Sequence, residues 1–125
     1  MNLSNEKFVL QALRGANTCE ENSSESIEKA VRCLLGELVK RNNLKPEQIV
    51  SLTFSVTKDL DACFPASIAR QENGWGKIAL LDCQQMFVKG DLKNCIRLLA
   101  HTWLPVYQDP KHVYLGNATM LRPDR

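Results

Sequence analysis

Four arginines sit where a lysine would be easier to solvate. Arg14 ends an apolar run against Gly15-Ala16, and Arg70 follows an apolar helical turn. Arg97 lies inside Cys95-Ile-Arg-Leu-Leu-Ala100, and Arg122 stands between Leu121 and Pro123. Taken singly, each reads best as an exposed residue on a half-buried element. Arg97 is the exception, because ionised side chains within apolar runs are usually paired when buried. Guanidinium forks match carboxylates bidentately, so a convergence of arginines implies a carboxylate ligand.

Other chemistries find less support. The two histidines, His101 and His112, would need distant carboxylates to hold a metal, and none is expected. The zinc-protease, nucleophile-elbow, Walker and dinucleotide motifs are all missing. A cysteine nucleophile needs a histidine partner, and no cysteine stands beside one. His112 itself reads as a satisfied strand residue. The cysteines are odd in number, Cys19, Cys33, Cys63, Cys83 and Cys95, and no pair forms C-x-x-C. They suit packed, reduced thiols in a reducing compartment.

The chain of 125 residues fits one domain, 1–125, with residues 1–7 expected to be flexible. Its net charge of +2 and pI near 8.3 fall short of a nucleic-acid stripe. Residues 1–62 carry 8 Lys+Arg against 9 Asp+Glu, and residues 63–125 carry 8 against 5. That modest excess suits a pocket for a small anion better than a polyanion track. The polar start offers no signal-peptide core, and no apolar run reaches the ~20 residues of a membrane span. A cytoplasmic protein is expected, with no nucleic-acid or membrane partner.

The elements that must hold these residues are partly legible. Residues 8–14 read as a strand ended by Gly15. Asn22-Ser-Ser-Glu25 has the spacing of a capped helix start. Ile27, Ala30, Val31, Leu34, Leu35, Leu38 and Val39 then form one apolar stripe, predicting a helix to about Asn42. Ile49 to Thr57 alternates, with Val50, Leu52, Phe54 and Val56 on one side and Ser51, Thr53 and Ser55 on the other. That is a strand with one polar face, which another subunit would cover. Residues 59–72 suggest a loop and a short helix interrupted by Pro65, and Ile78 to Leu81 a compact strand. Cys95 to Leu104 fits helix or strand equally by pattern, and His112 to Leu121 reads as a final strand.

Several strings now fall into register. Leu13-Arg-Gly-Ala16 follows the first strand, and Phe54-Ser-Val-Thr-Lys-Asp-Leu60 leads into Phe64-Pro-Ala66, with Arg70 beyond. Cys95-Ile-Arg97 follows a glycine turn, and His112-Val-Tyr-Leu115 precedes Leu121-Arg-Pro-Asp124. In order and spacing they resemble the AroH-class monofunctional chorismate mutases from about residue 9 to 125. The resemblance implies an α+β fold: a mixed β-sheet with flanking helices, assembled as a trimeric pseudo-α/β-barrel with active sites between subunits. It implies a cofactor-free [3,3] rearrangement of chorismate to prephenate. Arg14, Arg97 and Tyr114 would line the site, and Phe64, Ala66, Leu80, Leu81 and Leu121 would shape its walls. Arg70 and Arg122 would lie at its mouth. A pericyclic reaction needs no nucleophile, proton shuttle or metal, so the chemical bareness of the sequence fits it.

Three positions depart from the family pattern. Gln85 replaces a glutamate that supports the substrate hydroxyl and the allylic cation, Asp82 replaces a cysteine, and Ser67 replaces a lysine at the mouth. Asp82 is expected to restore the charge that Gln85 lacks, the alternative being a surface or capping carboxylate. Two rival functions remain open: a Rid-type imine deaminase on a related trimeric fold, and a non-catalytic binder of an aromatic-pathway metabolite.

Overall fold

The computed structural model describes residues 7–121. Arg122 and most of the segment expected to be flexible lie outside them. Lys7 is already engaged, its carbonyl accepting the Val106 N–H.

Five strands form one mixed sheet in the order β3-β2-β4-β1-β5. They are β1 (Phe8–Thr18), β2 (Ile49–Val56), β3 (Ala79–Gln84), β4 (Cys95–Pro105) and β5 (Val113–Tyr114). β4 runs antiparallel to both β1 and β2, and the outer strands β3 and β5 run parallel to their respective neighbours β2 and β1. The helices are α1 (Ser24–Asn42) and α2 (Pro65–Arg70), with 3-10 turns at Pro46–Gln48 and Gly116–Leu121. The central place of β4 resolves the ambiguity of its pattern: it is a strand, hydrogen-bonded on both sides.

The core lies between the sheet and α1. Ile27, Val31, Leu34, Leu35 and Leu38 are buried against Leu13, Leu52, Phe54, Leu98 and Ala100. β1 does not end at Gly15 but continues to Thr18. Glycine is required there for space, since a Cβ would stand 3.1 Å from Leu34 Cδ1 and 3.2 Å from the Val113 carbonyl. α1 starts one residue later than its sequence suggests, with Ser23 Oγ accepting the Ser26 N–H. Asn22 is used instead to hold the loop at Asp61 and Ala62.

Other expectations are corrected. Val50 does not join Leu52 and Phe54 in the core. A register shift between Ile49 and Ser51 turns it outward. Pro65 opens α2 rather than interrupting it, as suits a residue with no N–H to offer. The last strand stops at Tyr114, because Gly116 adopts a positive φ of 55° and starts a 3-10 helix.

Candidate active site

Strand alternation sorts the arginines. Leu13, Leu52, Phe54 and Leu98 face α1, so Arg14 and Arg97 must face the other side. Register then places Tyr114, Ala16, Arg97, Ser55 and Cys83 in one row across all five strands. Arg14, Leu99, Thr53 and Leu81 form the next row. Arg14 and Arg97 are thus diagonal neighbours on adjacent strands, close enough to grip one small ligand together.

An open cleft of about 840 Å³ lies over this face, lined by Arg14, Thr53, Ser55, Gln85, Arg97 and Leu121 and by the loop from Met86 to Asp91. Its charged groups are Arg14, Lys89 and Arg97 against Asp91, a net excess of two positive charges. Ser55 Oγ donates to Gln85 Oε1 at 2.8 Å, which fixes the amide. Arg97 Nη2 donates to both carboxylate oxygens of Asp91, at 3.1 and 3.3 Å. The Leu92 N–H and then the Arg97 guanidinium hold the Asp91 carboxyl below its ordinary range, so it is ionised. Tyr114, like Leu92 and Leu121, packs against the buried Ala16, Cys95 and Ala118, and its buried hydroxyl has no hydrogen-bond partner among the described residues.

Behind the cleft, a relay of contacts positions Arg14. Asn42, wholly buried at the end of α1, donates to the Leu38 and Lys111 carbonyls and accepts the Lys111 N–H at 2.8 Å. That bracket sets His112, whose Nδ1 accepts the Arg14 N–H at 3.0 Å. The bond requires Nδ1 to be unprotonated. Sequence reasoning took Asn42 only as a helix end. Its side chain pairs with residues far along the chain, which no local pattern reports.

The remaining candidates fall elsewhere in the protomer. Phe64 is exposed before α2, Ser67 Oγ donates to the Phe64 carbonyl, and Arg70 is exposed at the end of α2. Ala66 and Leu80 pack into or against the core, while Leu81 is exposed on the outer strand. Asp82 does not join Gln85. It shares the α1-facing side with Phe54, its Cα partner, and Oδ1 accepts the Ala66 N–H at 3.0 Å. Desolvation raises its carboxyl pKa, although the Ala66 bond and Arg70 oppose the shift. Within the protomer Asp82 therefore serves as a cap for α2 and stands apart from Gln85, where a charge was expected.

Nucleophilic and metal chemistry gain nothing from the geometry. Burial pushes the Cys19 and Cys95 thiols up to about 11, far from a reactive thiolate. Among the described residues, no group of three or more His, Cys, Asp or Glu could hold a metal ion.

A family model described as chorismate mutase type I matches residues 10–125. The chain belongs to this family. Among relatives of the type I chorismate mutases, Chorismate mutase AroH of Bacillus subtilis (strain 168) is 38% identical over 118 residues, covering 94% of this chain and 93% of that protein. Chorismate mutase AroH of Thermus thermophilus is 39% identical over 118 residues, covering 93% and 96% respectively. A solved chorismate mutase from Clostridium thermocellum superposes with a TM-score of 0.81 at 40% identity, over 88% of this chain and 98% of that one. The chain is thus an isomerase of the chorismate mutase family, with that family's mixed sheet and flanking helices.

Proposed function

We propose that the cleft converts chorismate to prephenate by a cofactor-free Claisen rearrangement, a step toward phenylalanine and tyrosine. The observation that carries this is the convergence of Arg14 and Arg97 on one cleft with two excess positive charges, matching a dicarboxylate. Within one molecule a C–O bond breaks as a C–C bond forms, and no proton or electron leaves. The protein's tasks are to hold a compact conformer and to stabilise separating charge. Arg14 grips a carboxylate. Arg97 donates to the ether oxygen, where negative charge grows only as the bond breaks, so the contact favours the transition state over the substrate. Gln85 adds to the polar lining and Leu121 closes an apolar wall, while Tyr114 stands in the row of Arg97 with its hydroxyl buried.

A homotrimer completes the site in this reading. Phe64, Ser67 and Arg70 stand away from the protomer's own cleft and would face that of a neighbour, with Leu81 on the adjoining edge. Leu10, Leu81, Leu99 and Trp103 are large apolar side chains left exposed on the cleft side of the sheet, as an obligate interface would require. Among the described residues no helix is long and apolar enough to cross a membrane. The likeness to chorismate mutases, which are biosynthetic enzymes, supports a cytoplasmic location in this reading.

Purified protein mixed with chorismate should consume its ultraviolet absorbance and yield prephenate, and sedimentation should give three times the protomer mass. Binding without conversion would favour a metabolite-binding protein, a reading to which Gln85 lends its one supporting observation. A monomer with full activity would sink the intersubunit site.

A further inference from the structure

Asp91 is the carboxylate of the cleft, and no sequence pattern pointed to it. It follows Gly90, whose positive φ of 86° turns the chain so that the Asp91 N–H donates to the Val88 carbonyl. The loop carrying it is tied at both ends. The Gln85 N–H donates to the Val56 carbonyl at 2.7 Å, and the Asn94 N–H donates to Asp59 at 3.0 Å. In between, the Lys58 ammonium lies 3.7 Å from the centre of the Phe87 ring. Asp91 Oδ1 is fixed further by the Leu92 N–H at 2.7 Å. A carboxylate so anchored presents a rigid acceptor to Arg97, the one guanidinium group that it meets among the described residues.

Arg97 reaches that acceptor with Nη2 alone, and its other N–H groups have no hydrogen-bond partner among the described residues. A guanidinium is planar, so clamping one terminal nitrogen sets the direction of the whole fork. Both side chains are largely shielded, at 18% and 23% exposure, where a charge-assisted bond keeps more of its strength than at the surface.

Resting on the chorismate mutase reading above, we propose that Asp91 is a positioning residue for this reaction: it clamps Arg97 Nη2 so that the rest of the fork meets the breaking C–O bond. The arrangement has an electrostatic consequence. Asp91 lowers the cleft's pull on a dianion while it improves the aim of the residue that acts on the transition state. Removing its charge should therefore weaken catalysis while leaving substrate binding unchanged or tighter, which a merely structural role would not do.

Asp91→Asn keeps the Oδ1 acceptor for Leu92 and removes the charge. In the full-length protein, kcat for chorismate should fall about ten- to hundredfold, as misdirected catalytic groups do, while KM stays level or falls. Asp91→Glu should recover a large part of kcat. In an Arg97→Ala background, the same Asp91→Asn change should cost almost nothing more, because the two residues act as one unit. Loss of kcat that adds fully to that of Arg97→Ala would overturn the proposal. So would a folded Asp91→Asn protein with kcat within about twofold of wild type. Wild-type protein that does not convert chorismate would overturn the functional reading first, and this inference with it.

Discussion

Phe54 and Asp82 are Cα partners on the parallel strands β2 and β3, so their side chains share the face turned toward α1. Asp82 therefore points away from the row that holds Arg97 and Ser55, and its oxygen caps α2 at the Ala66 N–H. Asp82→Asn keeps that acceptor, and kcat should be unchanged.

The same substitution should alter stability in a pH-dependent way. Burial raises the Asp82 pKa in the folded state, so near the carboxylate range the folded state binds more protons than the unfolded chain. Stability contributed by this group falls as pH rises from the unfolded pKa through the folded one, then stays level. Asp82→Asn should therefore be the more stable protein at pH 7, and the gap should close as pH falls below about 4. Urea unfolding at a series of pH values would show it, and a variant less stable than wild type at neutral pH would contradict this account.

Arg97→Ala should leave the fold intact and reduce kcat at least about a hundredfold, a loss of ~3 kcal/mol typical of a missing oxyanion donor. Arg97→Lys keeps the charge but cannot span the Asp91 carboxylate and a substrate oxygen with one planar fork, so it should rescue poorly. Steady-state kinetics on chorismate decide this. Conversion that survives Arg97→Ala would remove Arg97 from the mechanism.

Asn42→Ala should act at a distance. It frees the Lys111 N–H and carbonyl from their buried partner and loosens the segment that carries His112 to Arg14. A loss of about 2–4 kcal/mol in unfolding free energy is expected, since each orphaned buried polar group costs ~1–3 kcal/mol. KM should rise more than kcat falls, because Arg14 chiefly holds substrate.

Gly15→Ala tests the packing of β1 against α1. The new methyl would press on Leu34 Cδ1 and on the Val113 carbonyl, and a backbone oxygen yields less readily than a side chain. Overpacking of this kind costs about 1–3 kcal/mol, and the gain from a stiffer unfolded chain recovers less than ~1 kcal/mol of it. A lower unfolding midpoint in urea is the expected result.

The residue pattern alone determined what depends on near neighbours along the chain. The stripe from Ile27 to Val39 specified α1 because its periodicity is local, and the alternation after Ile49 specified most of β2. Arg97 stood out because its own run is apolar, and the family resemblance assigned Arg14 and Tyr114 through strings that stay in register and Gln85 as a departure from the family pattern. Only the tertiary structure decided β4, whose pattern fits helix or strand until β1 and β2 bond to its two sides. It alone revealed the bulge that expels Val50, the Asn42 bracket and the pairing of Arg97 with Asp91. It also sent Asp82 to the far face of the sheet. Each of these rests on which residues meet across strands or through a loop, and a side chain's partner there is set by register and turn geometry rather than by its neighbours in sequence.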